Sequence, residues 1–251
     1  MWRLYLTNFW LLLMTILALP FLIIRFRHGD NTSFLMYVYA WLAQFTSGIR
    51  VQILGRENIL SEPAVYVFNH QSSLDGIPLG MLRVPRLVII GKKEIVYVPF
   101  IGWTFYLAGN VLINRGDGRK AKDALDAGIN AIQKRRVSIA IFPEGTRNRS
   151  TEKASGAREQ VADREALGFL PFKRGGFQMA IDAQVPVVPI VIQSFKHVYD
   201  KQAGIMRRGT VLVKVLPALH TRGLGHKEAQ KLTEETQRLM EAEFEVLKQT
   251  H

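Results

Sequence analysis

An apolar run from about Leu4 to Ile24, interrupted only by Thr7, Asn8, Thr15 and Pro20, constrains this chain more than any other feature. A helix apolar on every side cannot rest on a soluble surface; it is buried in protein or it meets lipid. A second stretch follows from about Phe34 to Phe45, after the polar turn Arg25-Phe26-Arg27-His28-Gly29-Asp30-Asn31. A membrane-crossing helix needs roughly 20 apolar residues. The first stretch just reaches that length, with Pro20 as a kink point, and the second falls short. A cleaved signal peptide is disfavoured, because Arg3 is the sole cation before the run and no small-x-small cleavage site follows. A single span and a soluble core hairpin are further readings. The favoured one is a two-helix hairpin over residues 1–48 that dips into one leaflet. The aromatic side chains Phe34, Tyr37, Tyr39, Trp41 and Phe45 suit the headgroup boundary, and Arg25 and Arg27 suit anionic lipid phosphates.

Charge and cysteine content narrow the chemistry. The 251 residues include 33 Lys and Arg against 21 Asp and Glu, for a net charge of +12. Such a chain seeks polyanions: nucleic acid, an anionic bilayer or phosphorylated substrates. No nucleic-acid-binding motif accompanies the charge. The absence of cysteine excludes disulfides, thiolate-ligated zinc and a cysteine acyl-enzyme. His28, His70, His197, His220, His226 and His251 are scattered without ligand spacing, so no metal site is expected.

Residues 49–251 read as one α/β domain. Short apolar runs at Ala64–Phe68, Leu87–Ile90, Val111–Ile113, Val137–Phe142, Val187–Ile192 and Val211–Leu216 resemble buried strands. A helix is expected over Arg119–Arg135, with Ala121, Leu125, Ile129 and Ile132 on one face. Another is expected over Lys227–Lys248, with Ala229, Leu232, Leu239 and Val246 as its stripe. Residues 148–168 read as an exposed polar loop with a short helix near Arg158–Leu167. The fold class is therefore α/β: a central, mostly parallel sheet flanked by helices, preceded by the hairpin.

The chemistry is expected where apolar strands run out into polar turns. Val65-Tyr66-Val67-Phe68 ends in Asn69-His70-Gln71-Ser72-Ser73-Leu74-Asp75-Gly76. On a continuous helix His70 and Asp75 would stand about 140° apart and not meet. With His70 in the turn and Asp75 in a helix beginning near Ser72, the carboxylate folds back onto the imidazole. Asp75 then fixes the tautomer, leaving the other ring nitrogen as a general base. Ser72 and Ser73 lack a Gly-x-Ser-x-Gly elbow, and a serine here more often caps a helix. A His–Asp pair without a protein nucleophile points to a substrate hydroxyl as the attacking group. A second constellation is Phe142-Pro143-Glu144-Gly145-Thr146-Arg147. Gly145 permits a tight turn, Arg147 offers a phosphate-matching fork, and Glu144 accepts from a hydroxylated acceptor or orients Arg147. Gly109 through Arg115 forms a third, a strand carrying Arg115 to its end. The fourth, Val185-Pro186-Val187-Val188-Pro189-Ile190, reads as a wall of the core.

These four segments, in this order, resemble the four motifs of the glycerolipid acyltransferase family, and within it the 1-acyl-glycerol-3-phosphate acyltransferases. Asn69 through Asp75 is similar to the family's His-x4-Asp block, and Phe142 through Arg147 to its Phe-Pro-Glu-Gly-Thr-Arg block. Gly91-Lys92-Lys93-Glu94-Ile95 through Trp103 is similar to the stretch joining the first two blocks. The resemblance covers about residues 50 to 220. It implies transfer of a fatty acyl group from acyl-CoA or acyl-carrier protein to the sn-2 hydroxyl of 1-acyl-glycerol-3-phosphate, giving phosphatidic acid without a cofactor. Other lysolipid acceptors, a serine lipid esterase and a non-enzymatic membrane-binding protein are the alternatives. His70 and Asp75 would be catalytic. Arg115 and Arg147, aided by Lys92 and Lys173, would hold the acceptor phosphate beside Glu144, Gly145 and Thr146. Oxyanion donors are expected among backbone N–H groups near Gly145. The implied partners are lysophosphatidic acid, an anionic bilayer and the acyl donor, with no nucleic acid. The implied location is a bacterial inner membrane, with the site facing the cytoplasm. In one respect the chain departs from the pattern: Pro171-Phe172-Lys173-Arg174-Gly175 follows the third block only after the long segment Asn148–Leu170.

Overall fold

A computed structural model describes residues 2–113, 118–145, 169–200 and 203–250, with the side chains of 118–121 outside the description. Two helices, α1 (Trp2–Ile24) and α2 (Asn31–Ser47), open the chain. The strands β1 (Ile49–Leu54), β2 (Val65–Phe68), β3 (Leu87–Lys92), β4 (Val111–Ile113), β5 (Ser138–Ile141) and β6 (Val187–Ile192) follow. A small pair, β7 (Tyr199–Asp200) and β8 (Ile205–Met206), precedes β9 (Gly209–Val215). The remaining α-helices are α3 (Gly76–Leu82), α4 (Ile101–Leu107), α5 (Gly118–Arg135), α6 (Gly175–Ala183) and α7 (Ala229–Gln249).

The main sheet has seven strands in the order β1-β9-β6-β2-β5-β3-β4. From β6 through β4 the strands are parallel, so their carboxyl ends share one edge; β9 runs antiparallel to β6, and β1 parallel to β9. Every residue of β2 and β6 is buried, as expected for central strands covered on both faces. The pleat sends Tyr66 and Phe68 into a core shared with α2 and α3. Val65 and Val67 enter the opposite core, shared with α5, α6 and α7.

The expected strands are present, and β6 is the core wall that its sequence suggested. Three features differ from expectation. First, β1 was not anticipated, because its burial is irregular and Arg50 and Gln52 interrupt the apolar pattern. Second, the stripe of α7 is Ala229, Leu232, Met240, Phe244 and Leu247, whereas Leu239 and Val246 are exposed. At about 100° per residue Leu247 completes five turns from Ala229, whereas Val246 lies about 100° off that face. Third, the expected boundary at residue 48 falls inside a continuous core, since Ala40 and Ala43 of α2 pack with Tyr66 and Phe68. The short helix expected near Arg158–Leu167 lies outside the described residues.

Helix α1 is long and apolar enough to cross a membrane. One face of it is docked along the domain. Thr7 Oγ1 lies 3.0 Å from Thr46 Oγ1 of α2, Thr15 O accepts from Thr104 Oγ1 of α4 at 3.0 Å, and Ala18 and Leu22 pack with Ala108. Thr7 and Leu22 are separated by about 22 Å of helix. The opposite face, including Tyr5, Phe9, Leu12, Ile16 and Ile23, is exposed.

Candidate active site

The site is assembled where β2 and β5 end side by side. Asn69 follows β2 and is locked to the strand on its other flank: its Nδ2 donates to Ile192 O at 2.9 Å, and its Oδ1 accepts from Ile192 N at 2.8 Å. That clamp sets the direction in which the chain leaves the sheet. Ser72 Oγ then accepts from Leu74 N at 3.2 Å and opens a short 3₁₀ turn, Ser73–Asp75, that runs into α3. Ser72 is therefore a cap, the ordinary role of serine at such a position.

The turn carries Asp75 back over His70. Asp75 Oδ2 lies 2.7 Å from His70 Nδ1 and also accepts from Gln71 N at 3.0 Å and Ser72 N at 3.1 Å. Burial pushes the Asp75 carboxyl up, and the His70 ring and the two backbone N–H groups oppose that push. Three donors on one oxygen favour a charged carboxylate, which in turn assigns the Nδ1 proton to the ring and leaves Nε2 as an acceptor. The His70 side chain is 22% exposed and Asp75 only 3%, so the base faces the edge while its partner is sequestered. The His70 ring packs on Phe142 with centroids 4.3 Å apart, which restricts its swing.

Glu144 is the second anchor. Its Oε1 accepts from His70 N at 2.7 Å and its Oε2 from Leu170 N at 3.2 Å. It is buried, and burial pushes its carboxyl up to about 7, opposed by those two donors. Of the two expected roles, accepting from a hydroxylated acceptor or orienting Arg147, the second involves a residue outside the described ones; both Glu144 oxygens accept from backbone N–H groups. The reason is the neighbouring strand, since β5 ends against β2 and the His70 N–H has no sheet partner there. Gly145 adopts φ +71°, and its N–H donates to Phe142 O at 3.0 Å. That bond closes a turn and engages one of the backbone N–H groups in the region where oxyanion donors are expected. A Cβ on Gly145 would stand 2.6 Å from Lys173 Nζ, so the Lys173 ammonium lies directly over the glycine. Lys173 N further ties this segment to Pro143 O at 2.9 Å.

Lys92 ends β3 and is exposed, at the same carboxyl edge but two strands from β2. Two strand spacings are about 10 Å, within reach of a substrate bridging the edge but not of His70 itself. Arg115, Thr146 and Arg147 lie outside the described residues. Among the described residues no cluster of His, Asp and Glu is suited to a metal ion. A cavity of about 470 Å³ opens farther along the edge, lined mainly by Val96, Tyr97, Tyr106, Leu112, Ile113 and Ala124, with Lys93 and Asp123 as its charged members. Sequence reasoning missed Phe142 as the ring support and Leu170 as the second donor to Glu144. The first was legible only as an apolar residue before Pro143, and the second lies 26 positions away.

A family model described as Acyltransferase matches residues 50–193, more than half of the chain. The chain is 34% identical over 236 residues to human 1-acyl-sn-glycerol-3-phosphate acyltransferase alpha, covering 93% of this chain and 77% of that protein. It is 32% identical over 177 residues to the 1-acyl-sn-glycerol-3-phosphate acyltransferase of Saccharomyces cerevisiae, covering 70% of this chain and 54% of the yeast protein. The crystal structure of the 1-acyl-sn-glycerophosphate acyltransferase from Thermotoga maritima superposes with a TM-score of 0.68 at 22% identity, covering 98% of this chain and 97% of that one. That likeness establishes the fold, and with the sequence matches it follows that this chain belongs to the acyltransferase family.

Proposed function

We propose that this protein transfers a fatty acyl group from a thioester to the sn-2 hydroxyl of 1-acyl-glycerol-3-phosphate, producing phosphatidic acid. The His70 Nδ1–Asp75 Oδ2 contact of 2.7 Å, set at the carboxyl edge of the parallel strands, carries the chemistry. The names of the human and yeast relatives carry the choice of acceptor. His70 Nε2 removes the proton of the acceptor hydroxyl as its oxygen attacks the thioester carbon. Asp75 stabilises the imidazolium that forms. The carbon–sulfur bond then breaks, and the thiolate leaves with the proton His70 had taken. No protein nucleophile is required, consistent with Ser72 serving as a cap.

Lys173 over Gly145 supplies positive charge beside the site, and in the amino-acid sequence Arg115 and Arg147 come two and six residues after β4 and β5. These cations hold the acceptor phosphate. The mainly apolar cavity beside Leu112 and Ile113 receives acyl methylenes, each worth about 0.8 kcal/mol when buried. The docked face of α1 favours a helix lying along one leaflet. A crossing helix would drag the elements packed beside it, over about 22 Å, into hydrocarbon.

Purified protein in detergent, offered 1-acyl-glycerol-3-phosphate and lysophospholipids bearing headgroups with both thioester donors, tests this reading. Phosphatidic acid should dominate the products. Faster acylation of a headgroup-bearing lysolipid would overturn the acceptor assignment. Arg147→Ala should raise KM for the acceptor about tenfold or more while leaving KM for the donor near its parental value.

A further inference from the structure

We propose that the segment from Tyr97 to Tyr106, between β3 and β4, is a second membrane-inserting element that enters the same leaflet as α1. The proposal rests on the reading of α1 as lipid-facing. The segment exposes a cluster of large side chains at the carboxyl edge of the sheet: Tyr97 at 78%, Trp103 at 48%, and Val98, Phe100, Ile101 and Tyr106 to lesser degrees. Scattered exposed apolar residues are ordinary, but a contiguous cluster with aromatic members marks an interaction surface.

What covers the cluster follows from its neighbours. Thr104 of α4 donates to Thr15 O of α1 at 3.0 Å, so α4 and its exposed side chains are seated against the lipid-facing helix. The rim is cationic: Lys92 and Lys93 precede the segment, and Arg27 lies over the Tyr106 ring at 4.9 Å. Glu94 is the one acidic residue in the stretch from Lys92 to Tyr106. Aromatic residues above a cationic rim match the headgroup boundary of an anionic leaflet.

The backbone supplies an independent sign. Phe100 adopts φ 61° and ψ −55°, and Ile101 N donates to Pro99 O at 2.7 Å. This is the γ-turn of positive φ, a rare and strained conformation for a bulky residue. The turn projects Phe100 outward against Trp103, their rings 5.3 Å apart, rather than into the core. A strained turn that exposes a phenyl ring to water is unfavourable twice over, and lipid burial of the ring offsets both costs. Tyr97 and Tyr106, at the two ends of the segment, and Val96 just before it also line the cavity proposed for acyl methylenes. A tail therefore passes from the leaflet into the protein without crossing water.

Trp103 is a natural probe. In a variant carrying Trp2→Phe, Trp10→Phe and Trp41→Phe, it is the remaining tryptophan. On adding vesicles of phosphatidylcholine and phosphatidylglycerol with brominated acyl chains, its fluorescence should be quenched, and its quenching by aqueous acrylamide should fall. Phe100→Ser with Trp103→Ser in the full chain should lower vesicle partitioning about tenfold. Turnover of detergent-dispersed substrate should stay parental, and Leu239→Ser with Val246→Ser on α7 should leave partitioning unchanged. A Trp103 that bromolipids leave bright, or partitioning unaltered by the double substitution, would overturn the proposal. A shift from dimer to monomer in the double variant without vesicles, together with a Trp103 that lipid leaves unquenched in the single-tryptophan variant, would overturn it by assigning the cluster to self-association. The quenching does not depend on acyl transfer, so its failure and a failure of the proposed reaction are read separately.

Discussion

At the scale of single residues, the site rests on two carboxylates buried for different ends. Asp75 faces the reacting imidazole, with three donors on Oδ2, whereas its buried Oδ1 has no hydrogen-bond partner among the described residues. His70→Ala removes the base and should cost about a thousandfold or more in kcat; Asp75→Asn keeps the shape and should cost a similar factor through the loss of the oriented imidazolium. Circular dichroism of both variants should match the parent. Among the described residues Glu144 accepts only from backbone N–H groups, and burial raises its pKa from 4.5 to about 7. A carboxyl raised on folding contributes stability that is present below about 4.5 and is lost as pH rises to about 7. Burial pushes Asp75 the same way, so the two add in sign. Glu144→Gln should abolish its share, up to about 3 kcal/mol between those pH values. Unfolding temperatures of parent and variant should therefore diverge as pH rises from 4.5 to 7, the parent falling faster.

At the scale of elements, close approach decides what the sequence allows. Helix α3 packs against α2 so tightly that a Cβ on Gly80 would stand 2.1 Å from Met36 O. That atom is backbone, so it cannot swing aside. Gly80→Ala should separate the two helices and destabilise the fold by about 2 kcal/mol or more, read as a lowered unfolding temperature. The pairing of α2 with α3 was not legible in the sequence, because α2 reads as an aromatic, lipid-facing stretch while half of it serves the core. The strands β2 and β6 were legible, since strands buried on both faces appear as unbroken apolar runs. The drift of α7 away from Leu239 and Val246 was missed because a seven-residue step loses about 20° on a helix of 3.6 residues per turn.

At the scale of the molecule, a net charge of +12 is combined with an apolar face formed by α1 and α4. Both attract an anionic bilayer, but only the electrostatic part is screened by salt. Vesicle binding measured by co-sedimentation should weaken as salt rises from about 0.05 M to about 0.5 M and then level off above zero. It should also be weaker on purely zwitterionic vesicles. The amino-acid sequence alone determined the α/β class, the apolar N-terminus and the four ordered motifs, because each is written in contiguous residues and local periodicity. Tertiary structure alone decided that Glu144 turns inward to His70 and Leu170, that Phe142 supports the imidazole and that α1 is docked along its length. Those relations join residues far apart in the chain, and strand order and helix packing, not local pattern, bring them within a few ångströms.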